Sequence, residues 1–172
     1  MAIVGLGGLG HVGVQIAHAM GGHVTVLDLA EAKRADALRF GADAFEIVDG
    51  PETFAALANT FDLVVSTVPM NVDMDALLGL LDRDGTLVQL AIPAERLGLS
   101  AASLLANRRS PAGSRTGGIS ETQKMIDFCA AHGIAPQTEL IDADPIDEAF
   151  ARLEGGDARY RFVIDGTTFR AP

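Results

Sequence analysis

The stretch that most limits how this chain folds is Gly5-Leu6-Gly7-Gly8-Leu9-Gly10, set between the apolar run Ala2–Val4 and the helix-forming segment that follows it. In a G-x-G-x-x-G turn leaving a strand and opening a helix, each glycine has its own task. Gly5 makes the tight turn, Gly7 lets a phosphate approach the backbone, and Gly10 lets the helix pack closely on the strand. Gly8 is a further glycine in the same turn. A helix that opens here offers unpaired amides and the positive end of its dipole to an anion.

The rest of the chain alternates in period. Strand-length apolar runs fall at 2–6, 23–28, 44–49, 61–68, 85–92 and 110–114, with helical segments at 8–20, 31–40, 51–59, 71–81 and 101–108 between them. Near-continuous Val, Ile and Leu in the strands predicts a parallel sheet covered on both faces. That is the doubly wound, Rossmann-type α/β fold, with about six strands in the order 3-2-1-4-5-6. In helix 8–20, Leu9, Val12, Gly13, Ile16, Ala17 and Met20 recur at three- and four-residue steps and are expected to form the buried stripe, with His18 in solvent. After Gly117-Gly118 the ladder stops. Helix 120–132, strand 137–141, helix 145–154 and the run 159–165 predict an appendage, which divides the chain into 1–118 and 119–172.

With 172 residues the chain is long enough for one domain plus such an appendage. Its net charge of −10 argues against a nucleic-acid or anionic-membrane partner, either of which needs a basic face. No apolar run approaches membrane-spanning length, and the start lacks the basic flank of a signal peptide, so a cytoplasmic protein is expected. Cys129 is the single cysteine, expected as a small core residue on helix 120–132.

A second strand ends in Asp28, 18 residues after Gly10, where a ribose-binding carboxylate belongs in a dinucleotide fold. A turn or N-cap role for Asp28 is the alternative. His11, in the first helical turn, either leans toward the phosphates or faces solvent. A short-chain dehydrogenase would need Tyr-x-x-x-Lys, whereas Tyr160 is followed four residues later by Ile164. Methyltransferases share the glycine-rich turn and the acidic residue, so that class stays open on these features alone.

Several further motifs occur in fixed order: Glu31–Asp43, Asn107–Ser114, Gly117–Ile134 and Ala158–Asp165. Together with the glycine turn they resemble the zinc-dependent medium-chain alcohol dehydrogenases of the cinnamyl-alcohol-dehydrogenase-like branch, over nearly the whole chain. The resemblance covers the C-terminal, cofactor-binding half of such an enzyme. It implies that zinc ligands and a GroES-like catalytic domain lie outside this sequence, and that segment 119–172 packs on that domain, with Phe162 and Ile164 losing their partner surface without it. The resemblance assigns pyrophosphate to the backbone at Gly7, Gly8 and Leu9, and adenosine ribose to Asp28 and Lys33. The nicotinamide ribose goes to Thr67 and Val68, the carboxamide to the backbone of Ala91 and Ile92, and a cofactor phosphate to Arg161. It also implies a homodimer formed through the edge near strand six.

The chain departs from the family pattern in three places. Ala91-Ile92-Pro93 replaces the usual Gly-Ala-Pro, Arg115-Thr116 replaces two apolar residues, and Pro111 stands in a strand. The family branch mostly uses NADP, with a small hydroxyl residue ending strand two. Asp28 at that place instead predicts NAD, with NADP as the alternative cofactor. The expected function is the NAD(P)-binding domain of an alcohol dehydrogenase, catalysing hydride transfer in the complete enzyme. The alternative is a stand-alone dinucleotide-binding or redox-sensing module.

Overall fold

Side chains alternate across a strand, and here they divide the core in two. Ala2 and Val4 pack on one face of the first strand and Ile3 on the other, each 7 % exposed or less. The computed structural model describes residues 1–169, so the last three positions of segment 119–172 lie outside the described residues. Six parallel strands, β1 (Ala2–Val4), β2 (Thr25–Asp28), β3 (Ala44–Ile47), β4 (Phe61–Ser66), β5 (Leu81–Gln89) and β6 (Ser110–Gly113), form one sheet. Their order is β3-β2-β1-β4-β5-β6, the doubly wound topology expected from the alternation.

Helices cover both faces. On one side α1 (Gly10–Ala19) and α2 (Arg34–Arg39) enclose Ile3, Leu6, Val14, Val26 and Phe40. On the other, α3 (Pro51–Ala56), α4 (Met74–Gly79) and α5 (Ala101–Leu105) run back along the sheet, where Val4, Leu27, Val64, Leu77 and Leu87 are buried. Asp73 caps α4 by accepting from the amides of Asp75 and Ala76, which satisfies two of its otherwise unpaired donors. Pro111 sits within β6, an edge strand, where a missing ladder donor is tolerated.

Three details differ from expectation. The buried face of α1 consists of Gly10, His11, Val14 and Ala17, while Leu9 and Met20 are 51 % and 73 % exposed. The helix is apolar on more than one side, so periodicity admitted two stripes, and contacts from distant parts of the chain select between them. Strand β5 starts at Leu81 and ends at Gln89, three residues before Ile92, because the Gln89 side-chain amide bonds the Ala91 carbonyl and the chain leaves the sheet. Cys129 is only half-buried, since α6 (Ile119–His132) has no buried residue along its length.

Beyond α6, β7 (Thr138–Ile141) and β8 (Arg161–Ile164) pair in parallel as a separate two-stranded sheet, with α7 (Ile146–Glu154) between them in sequence. Phe162 and Ile164 are half-buried rather than bare. They line a cavity of about 280 Å³ with Ile146 and Phe150 of α7. Leu140, Phe150, Leu153 and Val163 of this segment remain exposed. Among the described residues, no helix is long and apolar enough to cross a membrane.

Gly10 is the tightest point of the sheet-to-helix connection. A Cβ built there would lie 1.9 Å from the Gly5 carbonyl oxygen, well inside any van der Waals contact. Gly10→Ala is therefore expected to cost roughly 2–3 kcal/mol of stability, or to prevent folding. Denaturant unfolding checks this, and a midpoint equal to that of the native chain would contradict it.

Candidate functional site

The carboxyl ends of β1, β4 and β5 meet at the point where the strand order reverses, the usual place for a ligand cleft in such a sheet. Gly5 leaves β1 with φ +89°, a conformation that disfavours any side chain, and its amide donates to the Leu27 carbonyl of β2 at 2.8 Å. Thr67, just past β4, holds the turn from the other side. Its hydroxyl lies 3.0 Å from the Val4 carbonyl and 2.9 Å from that of Gly5. Val68 packs beside Gly5, where a Cβ would come within 2.8 Å of its methyl group.

Gly7 differs from its neighbours. It is exposed, and a Cβ there would meet nothing within 4 Å. The room beside it is open, as a cradle for a phosphate requires. Helix α1 begins at Gly10 with no side-chain cap and no acidic residue in its first turn. The His11 amide donates back to the Gly7 carbonyl at 3.1 Å, and no carboxylate in that turn opposes an anion at the helix start.

Two charged groups flank the turn. Arg161, brought from β8, donates from Nε and Nη2 to the Gly8 carbonyl at 3.1 and 2.8 Å. Asp28, 8 % exposed, lies on the β2 side. Its Oδ2 accepts from the Leu6 amide at 2.7 Å and from Lys33 Nζ at 3.0 Å, and its Oδ1 from the Ala30 amide at 3.0 Å. An ionised carboxylate has about four acceptor positions. Three are filled, so Asp28 retains one, on Oδ1, for a ligand hydroxyl. The turn role is thus present in the structure, and it does not use up the side chain's acceptor capacity.

The other end of the cleft is an open space of about 650 Å³ lined by Leu9, Gln89, Ala91, Ile92, Ser114 and Arg115, among others. Ile92 projects here at 80 % exposure, so the bulk that replaces the family's usual residue stands at the cleft rim. Gln89 Nε2 donates to the Ala91 carbonyl at 2.9 Å. Gln89 Oε1 and its register neighbour Ser66 Oγ are buried without a hydrogen-bond partner among the described residues. Buried polar atoms are normally paired, and an acceptor such as Gln89 Oε1 suits a ligand N–H donor.

The residues that the resemblance assigns to a cofactor thus gather at the carboxyl ends of the strands, with Arg161 reaching them from β8. Gly5, Gly7, Gly8, Leu9 and Gly10 form the turn, Asp28 and Lys33 stand on one side, and Thr67 and Val68 lie beneath. Ala91 and Ile92 line the far end. Sequence reasoning overlooked Gln89, Ser66 and the two residues that moor the tail, Gln137 and Tyr160. Tyr160 is 2 % exposed within the core of the sheet domain, and Gln137 bonds the ring of His11. Neither carries a local signal, because both contacts span more than a hundred residues. His11 did carry one, its three-residue spacing from Val14 and Ala17.

No group of three His, Cys, Asp or Glu side chains is gathered anywhere among the described residues. These residues do not fit a catalytic zinc, and no step is assigned through one.

A family model described as zinc-binding dehydrogenase matches residues 8–131, from the glycine turn almost to the end of α6. The chain belongs to that family. It is 50 % identical over 171 residues to NADP-dependent alcohol dehydrogenase C 1 of Mycolicibacterium smegmatis, covering 99 % of this chain and 49 % of that protein. Among solved structures, the cinnamyl alcohol dehydrogenase SbCAD4 of Sorghum bicolor superposes with a TM-score of 0.95 at 37 % identity, covering 99 % of this chain and 49 % of that one. CAD from Helicobacter pylori complexed with NADP(H) gives a TM-score of 0.88 at 36 % identity, covering 98 % of this chain and 48 % of that one. The chain spans about half the length of the curated relatives it matches.

Gly7 offers a test of the cradle that leaves folding intact in this zinc-binding dehydrogenase chain. Gly7→Val places its side chain in open space, so stability is expected to stay within about 0.5 kcal/mol of native. The branched side chain then occupies the phosphate path, and dinucleotide affinity is expected to fall by about tenfold or more, equivalent to roughly 1.4 kcal/mol. Calorimetric titration of the folded variant checks this, and unchanged affinity would refute the cradle.

Proposed function

We propose that this chain is the dinucleotide-binding part of a zinc-dependent alcohol or aldehyde oxidoreductase, and that its own share of the work is to hold and orient the cofactor. The observation that carries this reading is the open space at Gly7, between Asp28 and Arg161, in a turn whose Leu9 lines the cleft at Ala91 and Ile92. A bound dinucleotide would supply the hydride acceptor for oxidation of an alcohol. The turn amides and Arg161 neutralise the pyrophosphate, and Asp28 Oδ1 accepts from an adenosine ribose hydroxyl. The Gln89 amide and the backbone at Ala91 and Ile92 orient the nicotinamide end.

Segment 119–172 belongs to this reading as the part that packs on a further, GroES-like domain. The exposed Leu140, Phe150, Leu153 and Val163 support it, as apolar surface that calls for a partner. The open edge of β6, exposed at all four residues, supports pairing into a homodimer.

Asp28 decides the preference between cofactors. A 2′-phosphate would bring like charge against a nearly buried carboxylate, and Lys33, already paired with it, offsets only part of that. The H. pylori structure holds NADP(H), whereas Asp28 makes NAD the better ligand here. Titration of the chain with both is expected to favour NAD by at least about tenfold, or about 1.4 kcal/mol. Asp28→Asn is expected to shrink the difference while its amide oxygen still accepts from Leu6. NADP binding as tight as NAD would overturn the assignment.

With no zinc-ligating cluster among the described residues, the chain assayed with zinc, NAD and primary or aromatic alcohols is expected to form no NADH. Saturable, protein-dependent NADH formation would contradict this.

A further inference from the structure

His11 lies in the first turn of α1 and is 0 % exposed. Its Nδ1 is 3.0 Å from the Gly7 carbonyl oxygen, and its Nε2 is 3.1 Å from the backbone nitrogen of Gln137, just before β7. A carbonyl can only accept and a backbone N–H can only donate. The two contacts together therefore require a neutral imidazole with its proton on Nδ1 and its lone pair on Nε2. The ring is stacked on Tyr160 at 4.7 Å and tilted against Phe40 at 5.5 Å. Tyr160 is fixed in turn by its hydroxyl, which donates to Asp36 Oδ2 at 2.8 Å, and the next residue, Arg161, holds the Gly8 carbonyl. Both carbonyls of the Gly7-Gly8 turn are thus tied to the C-terminal strands, one through a single imidazole.

We propose that neutral His11 is the positioning residue that couples the glycine turn to β7 and β8, and that protonating it releases Gln137 and Arg161 and weakens dinucleotide binding. The proposal rests on the reading of the turn as a dinucleotide cradle. A second proton would sit on Nε2, facing the Gln137 N–H, so an attractive contact becomes donor against donor. A buried, unpaired cation then stands in the core of the joint. The ring can take that proton in water only if the C-terminal strands move away.

The charged and titratable groups around the ring do not supply the same response. From α2 come Asp36 and Arg39, from the segment leading into β8 come Arg159 and Tyr160, and from β8 itself comes Arg161. Burial pushes the Asp36 carboxyl up, but its bonds to Arg39 and Tyr160 outweigh this and hold it below the usual carboxylate range. Burial and the Asp36 bond push the Tyr160 hydroxyl up, so it stays protonated. Burial holds His11 below its ordinary value of 6.5, opposed by the Gly7 hydrogen bond and reinforced by the positive charge of Arg161. The released state therefore binds a proton that the docked state refuses. Docking is favoured at neutral pH and weakens as the pH falls below about 6.5, until the docked value is reached.

The test is NAD titration of the native chain and of His11→Gln between pH 5 and 8, with hydrogen exchange at the Gln137 amide and the imidazole pKa read by NMR. Native affinity is expected to fall by about tenfold from pH 7.5 to 5, as one proton is taken up. His11→Gln is expected to bind more weakly than native at pH 7.5 but with affinity flat in pH. Equal pH dependence in native and His11→Gln chains would overturn the proposal, as would a His11 pKa at or above 6.5 or a proton resting on Nε2. If the native chain binds no NAD at pH 7.5, the cradle reading fails. The coupling is then judged by exchange alone: acid-induced loss of Gln137 protection in the native chain supports it, and protection constant from pH 5 to 8 overturns it. Where His11→Gln does not fold, the NMR titration and Gln137 exchange of the native chain decide the question.

Discussion

Everything at the ligand edge depends on how closely α1 approaches the end of β1. The helix starts against the carbonyl of Gly5, with Gly10 lying where any side chain would strike that oxygen. This contact sets the angle at which the helix leaves the sheet, and hence where its first amides stand. The turn is then held by its neighbours rather than by its own bonds. Thr67 secures the Val4 and Gly5 carbonyls from beneath, and the Leu6 amide is taken by Asp28. A loop of this composition would otherwise be costly to order, since glycine loses the most freedom on folding.

Asp28 shows how a nearly buried charge is held at the end of β2. In an acidic chain a nearly buried carboxylate is stable only because two amides and Lys33 satisfy it. The same bonds hold the group fixed and leave one acceptor position on it. Arg161 supplies the opposite charge from a strand more than 150 residues along the chain, and it arrives on the Gly8 carbonyl with Tyr160 anchored in the core behind it. The C-terminal segment is thus moored to the turn at one end. Much of α6 and the outer face of α7 stay exposed.

What the sequence alone determined is the order and kind of the main elements and the place of the candidate site. Near-continuous apolar strands separated by helices leave a twisted parallel sheet few alternatives, and the glycine turn lies at the first crossover, where the strand order reverses. Those signals are local: Gly5, Gly7, Gly10 and Asp28 act within a single βαβ unit, and their spacing is written in the chain. Only the tertiary structure decided which face of α1 is buried, where β5 leaves the sheet and how the tail meets the turn. An apolar helix such as α1 has more than one plausible stripe, and His11 is chosen over Leu9 because Tyr160 and Gln137 reach it from the far end of the chain. Such long-range pairs depend on packing geometry and leave no periodic trace in the sequence.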